Sequence, residues 1–153
     1  MPGITAILHT HNDALRIARA VESLRPCDQV LVIDHGSSDE TCSTARRFGA
    51  HVIETQNKVF DTRAYLSEAL SDWIFCMHPT ESLSEGLEAA LLEWKLAAHR
   101  AQSTFEVSIL EETPLGPETR LVNHTNMAWD GWKPLSESRS TLLDGYLLRM
   151  RLP

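Results

Sequence analysis

Gln29-Val30-Leu31-Val32-Ile33-Asp34-His35-Gly36-Ser37-Ser38-Asp39-Glu40-Thr41 passes from a continuous apolar run into a turn and then into a helical pattern that Gly49 closes. Consecutive apolar residues suit a strand covered on both faces, and Gly36 permits a sharp reversal. Ser37 and Glu40 have the spacing of a capping box. This is one strand-loop-helix unit. Upstream, Ile4-Thr5-Ala6-Ile7-Leu8 leads through the polar His9-Thr10-His11-Asn12 to Leu15, Ile17, Ala18, Val21 and Leu24 at helical spacing. Asn12 or Asp13 is expected to cap that helix and Pro26 to end it.

Downstream, His51 to Glu54 reads as a third strand, Asp61 to Leu70 as a helix, and Trp73 to Met77 as a central parallel strand, apolar on both faces. Ser84 to His99 carries Leu87, Ala90, Leu91, Trp94 and Ala98 on one stripe and reads as an amphipathic surface helix. Alternating strands and helices predict an α/β, three-layer, Rossmann-like domain with a mostly parallel central sheet flanked by helices. After Phe105, short strand-like pieces (Phe105 to Leu110, Arg120 to Asn123, Tyr146 to Met150) lie between Pro and Gly. They predict a short irregular or antiparallel extension of the same sheet. Ligands on such sheets sit at the carboxyl ends of strands. His9 to Asn12, Asp34 to Asp39 and His78 to Glu81 are expected at that edge.

The 153 residues suit a single domain, 1–153, with a nucleotide-binding half over 1–100 and an abbreviated acceptor-side half over 101–153. A net charge of -7 argues against nucleic acid as a partner, because that affinity depends on Lys and Arg neutralising phosphates. No apolar run reaches the roughly 18 to 20 residues of a membrane helix, and the amino terminus does not read as a secretory signal. Three cysteines without a CxxC pair suggest neither a disulfide framework nor a thiolate zinc site. The expected compartment is the cytoplasm.

Val32-Ile33-Asp34-His35-Gly36-Ser37-Ser38-Asp39-Glu40-Thr41 resembles the V-D-D-G-S-x-D-x-T signature of family 2 glycosyltransferases, and Ile7 to Asp13 resembles their I-P-T-Y-N-E opening. Phe48 to Ile53 continues the likeness. Ala69-Leu70-Ser71-Asp72-Trp73-Ile74, leading into Glu81-Ser82-Leu83-Ser84, resembles the family's A-x-G-D-W-I-L-F-L-D-A-D-E-x-L-S. Four motifs in order over about residues 3–98 make a strong fold signal, nearest to the lipopolysaccharide-core glucosyltransferase-like branch. The resemblance implies a GT-A fold and transfer of a sugar from a nucleotide-sugar. Thr10, His11, Asn12, Asp34, Gly36, Ser37 and Arg63 are then the nucleotide-binding candidates. Asp34 can accept a hydrogen bond from a base NH or from ribose hydroxyls, and Arg63 can reach a phosphate.

The departures are specific. The family's Asp-x-Asp holds a divalent cation that neutralises the leaving diphosphate. Here that position reads His78-Pro79-Thr80, which offers no anionic oxygen, so the ordinary metal mode is expected to be lost unless His78 and Glu81 substitute. His35 stands at the second Asp of D-D-G-S. Glu118 to Val122 and Trp129 to Pro134 faintly resemble the family's E-x-R-L-F-R and W-x-G-x-x-H-E segments, with Pro134-Leu135 at the His-Glu. Asp130 is the candidate for a displaced general base on the acceptor hydroxyl.

Two pairs of readings follow for the remaining residues. His9 or His11, His35 and His78 all fall near the strand ends, and such a cluster can hold Zn²⁺; polar loop histidines are the commoner explanation. Trp129 and Trp132 suit either a sugar-stacking platform or, better, an aromatic pair closing a small core over the sheet. The function expected is a glycosyltransferase-like domain that has lost catalysis and binds a nucleotide or nucleotide-sugar. The alternatives are an active transferase with a noncanonical or metal-independent site, and a histidine-based metal-binding protein.

Overall fold

A computed structural model describes residues 2–97, 102–125, 127–135 and 140–150. Strands β1 (Ile4–Thr10), β2 (Gln29–Asp34), β3 (His51–Glu54) and β4 (Trp73–Cys76) run parallel in the order β3-β2-β1-β4. Beyond β4 the sheet continues through β7 (Pro114–Asn123), β6 (Thr104–Leu110), β10 (Thr141–Arg149) and β5 (Glu81–Leu83), making eight strands. β7 is antiparallel to both neighbours, whereas β10 runs parallel to β6. The extension is thus mixed rather than purely antiparallel, and its strands are longer than the sequence suggested.

Alternation along β1 divides the core. Ile4, Ala6 and Leu8 point to one face, where they meet Ile17, Ala20, Val21 and Leu24 of α1 (Ile17–Ser23), Ala45 of α2 (Thr41–Arg47), and Leu87, Leu91 and Trp94 of α3 (Glu85–Leu96). Ile7 points to the other face with Leu31, Ile33, Ile74 and Cys76. There the cover is Tyr65 and Leu66 of a 3₁₀ helix (Thr62–Glu68), with Trp129 and Trp132 of a small hairpin, β8 (Trp129–Asp130) and β9 (Lys133–Pro134). The tryptophan pair therefore closes a second core over the sheet.

Helix starts differ locally from the expected caps. Neither Asn12 nor Asp13 caps α1 with its side chain; the Asp13 carbonyl accepts the amides of Arg16 and Ile17 instead. The Ser37–Glu40 box does not form, since Ser37 turns back to Asp34 and the Asp39 carboxylate accepts the Thr41 amide. The Asp61 to Leu70 helix is a 3₁₀ segment with Asp61 at its cap, and Ser84 caps α3 through the Leu87 amide. The helix ends at Leu96 with Ala97 as its C-cap, and the last two positions expected in it, Ala98 of its stripe and His99, lie outside the described residues.

One glycine fixes the join between the halves. Gly145 in β10 has φ +89°, and a Cβ there would lie 2.2 Å from the Leu87 amide nitrogen. Only a hydrogen in that place lets β10 pass beneath the start of α3.

Candidate functional site

The carboxyl ends of β1 and β2 are locked in register, Thr10 opposite Asp34, and the His35 amide donates to the Thr10 carbonyl. Two loops leave from this point and clasp each other. Asn12 takes a left-handed backbone, φ 55°, which its short polar side chain tolerates. Its amide donates to Ser37 Oγ at 2.8 Å, and its side-chain oxygen accepts the Ser38 amide at 2.8 Å. Gly36 makes its turn at φ +82° with Lys58 Nζ close above it. Six of the seven nucleotide candidates, Thr10, His11, Asn12, Asp34, Gly36 and Ser37, are thereby brought into one loop pair.

Their side chains are unequally available. Thr10 is buried and donates to Asp13 at 2.6 Å; Asp34 is buried and accepts both the amide and the hydroxyl of Ser37. His11, Asn12 and, on the 3₁₀ helix, Arg63 are exposed. Asp34, Cys42 and Glu54 hold atoms within 4.8 Å of one another. Asp34 is committed to Ser37, Glu54 pairs with Arg46 at 3.1 Å, and burial with the two acids pushes the Cys42 thiol up to about 12. That trio is a hydrogen-bonded cluster rather than a cation cage.

Past β4, His78, Pro79 and Thr80 form the loop into β5. His78 Nδ1 meets the Thr80 hydroxyl at 2.8 Å and its ring lies 5.8 Å from that of Trp132. Burial first, and then Arg120 and Arg149, hold the His78 imidazole below its ordinary value despite Glu81 and Asp13. Glu81 points inward. Its carboxylate accepts from Arg120 at 2.7 and 2.8 Å, from Arg149 at 3.0 Å and from the His78 amide at 2.9 Å. Burial alone would raise its pKa, but Arg120 outweighs burial and brings it to about 2. Both oxygens are occupied by fixed donors, so Glu81 does not fit a divalent cation, and with His78 and Thr80 bonded to each other the loop presents no anionic oxygen.

Arg120, which the sequence marked only as part of a faint resemblance, is the centre of this region. It is fully buried, donates also to the Cys76 carbonyl and Glu118, and lies 4.9 Å from the Trp132 ring centroid. Lys133 sits 5.1 Å from the same ring and pairs with Glu118 at 2.9 Å. Asp130, one residue before the hairpin turn, is exposed and pairs across the strands with Lys133.

The histidines do not converge on one point. His9 and His35 bond to each other, Nδ1 to Nε2 at 2.8 Å, while His11 Nδ1 meets the His35 carbonyl and His78 lies against Trp132. Among the described residues no histidine belongs to a group with metal-ligand spacing.

No protein-family model matches the chain. Over 102 residues it is 35% identical to an uncharacterized glycosyltransferase of Rickettsia felis, covering 65% of this chain and 36% of that protein. Glucosyl-3-phosphoglycerate synthase of Mycobacterium tuberculosis, solved with Mn²⁺, uridine diphosphate and glucosyl-3-phosphoglycerate, superimposes with a TM-score of 0.55 at 18% identity, over 72% of this chain and 44% of that one. Mannosyl-3-phosphoglycerate synthase of Rubrobacter xylanophilus gives a TM-score of 0.57 at 17% identity, over 71% and 40%. The chain spans about a third of the length of the curated relatives it matches. Its fold is that of GT-A glycosyltransferases, and the sequence relatives support a glycosyltransferase family.

Proposed function

We propose that this chain is a glycosyltransferase-like domain that holds a nucleotide or nucleotide-sugar at the carboxyl ends of β1 and β2, without a divalent metal, and does not transfer the sugar. The observation that carries this reading is that the loop standing at the family's Asp-x-Asp, His78-Pro79-Thr80, presents no anionic oxygen, while the adjacent Glu81 is held by Arg120 and Arg149. A cation there would have to displace two guanidinium groups from Glu81. Supporting the nucleotide half of the reading, a structural neighbour was solved with uridine diphosphate, and His11, Asn12 and Arg63 are exposed to solvent, where a base or a phosphate can exchange for the loop hydrogen bonds of the first two. The lipopolysaccharide-core branch and a cytoplasmic location belong to the same proposal, and Asp130 as a general base belongs to the active reading that follows; three free thiols accord with a reducing compartment.

A second reading, an active metal-independent transferase, draws on one observation. Among the described residues, Arg120, Arg149 and Lys133 pair with Glu81 and Glu118, leaving surplus positive charge that suits a diphosphate. A calorimetric screen with UDP, GDP, CDP and their sugars, paired with a sugar-nucleotide turnover assay, tests both. Saturable binding without turnover supports the first reading, binding with turnover the second. Absence of binding by every nucleotide removes both.

A further inference from the structure

Four hydrogen bonds run end to end beneath the nucleotide edge. His35 Nδ1 meets the Asn57 carbonyl at 2.6 Å, and His35 Nε2 meets His9 Nδ1 at 2.8 Å. His9 Nε2 meets Thr62 Oγ1 at 3.0 Å, and that hydroxyl meets the Trp132 carbonyl at 3.1 Å. Both histidines are buried, the rings of His9, His35 and Phe60 pack against one another, and the two ends of the chain are carbonyls. Carbonyls only accept, so the protons along the wire can be counted.

With both rings neutral, His35 donates from Nδ1 to Asn57, His9 donates from Nδ1 to His35 Nε2, and the single hydroxyl proton of Thr62 goes to His9 Nε2. The Trp132 carbonyl then receives nothing from Thr62. With one more proton, taken from water, every bond forms at once. His35 carries protons on both nitrogens, His9 donates from Nε2 to Thr62, and the hydroxyl turns to Trp132. The four distances fit this second arrangement throughout.

We propose that His9 and His35 share one removable proton, and that its arrival reverses the wire and latches the β8–β9 hairpin, through Thr62, onto the nucleotide edge. The latch rests on the reading above for its role beside a ligand, because that hairpin carries Asp130 and Trp132. A second proton is resisted: burial, and then the charge of His35, bring His9 down to about 3. The titratable groups around the wire are Tyr65, edge-on to His9; His11, on the His35 carbonyl; Asp34, turned to Ser37; Lys58, over Gly36; and His78, Asp130 and Lys133 around the hairpin. None of their side chains is a partner in the four bonds.

Imidazole ¹⁵N spectra of the ligand-free protein, with amide exchange of Gly131 to Lys133, test it across about pH 5 to 8, where an unperturbed imidazole titrates. His9 is expected to change from the Nδ1–H to the Nε2–H tautomer as His35 gains its second proton. Hairpin protection should rise by about fivefold, the factor that one net hydrogen bond supplies. Thr62→Val should abolish the rise in protection, and Thr62→Ser should retain it. A single His9 tautomer across the range, or the same pH dependence in Thr62→Val, overturns the latch. These spectra need no nucleotide, so their outcome is distinguishable from a failure of nucleotide binding.

Discussion

Arg120 and Glu81, neither with any exposed side-chain surface, face each other through two parallel hydrogen bonds of 2.7 and 2.8 Å beneath the His78–Thr80 loop. This bond joins β7 to β5 and closes the end of the sheet with an internal cation. Breaking a buried pair from one side strands the other charge, at a cost of about 3–5 kcal/mol. Arg120→Met is expected to lose stability of that order in urea unfolding. Glu81→Leu combined with Arg120→Met should lose less than the sum of the two single changes.

Acid should destabilise the fold in two stages. His9 is held down to about 3 in the fold against 6.5 when unfolded, so the unfolded chain binds its proton first and stability falls as pH drops from about 6.5 toward 3. Glu81 sits at about 2 against 4.5, so its contribution is intact above 4.5 and is lost as pH falls through that value toward 2. Urea midpoints measured against pH check both, and His9→Asn should remove the upper stage alone.

Two glycines separate backbone conformation from crowding. Gly49 and Gly145 share a left-handed φ, +95° and +89°, but a Cβ at Gly49 meets nothing within 4 Å. Gly49→Ala should cost about 1–2 kcal/mol, the conformational penalty alone. Gly145→Ala adds a clash with the Gly86–Leu87 backbone and should exceed that by at least about 1 kcal/mol in thermal or urea unfolding.

The loop clasp should matter more for ligand than for fold. Asn12→Gly keeps the left-handed backbone and removes the side chain that accepts the Ser38 amide. Stability should change by less than about 1 kcal/mol, whereas UDP affinity measured by calorimetry should fall about tenfold.

The parallel half of the fold was legible because β1, β2 and β4 are apolar runs bounded by turn residues, and because each is followed by the polar loop that a strand end requires. β5 was not, since Glu81-Ser82-Leu83 is buried by an ion pair rather than by apolar periodicity. Pro114, Gly116 and Pro117 disguised the start of β7. They are tolerated because β4 pairs only with Leu121 to Asn123, leaving that end of β7 bonded on one side. In the site, the missing Asp-x-Asp carboxylates could be read directly. Arg120 could not, because residue pattern does not distinguish a buried guanidinium from an exposed one. The His9–His35 bond depends on parallel register, which puts the end of β1 beside the residue that follows β2.

Whether a cation has any part in binding is decided by titrating UDP into the protein with Mn²⁺ present and again with chelator. The buried Arg120–Glu81 pair predicts a Kd that agrees within about twofold between the two, a difference of under about 0.5 kcal/mol. A tenfold or greater gain in affinity with Mn²⁺, about 1.4 kcal/mol, would contradict it.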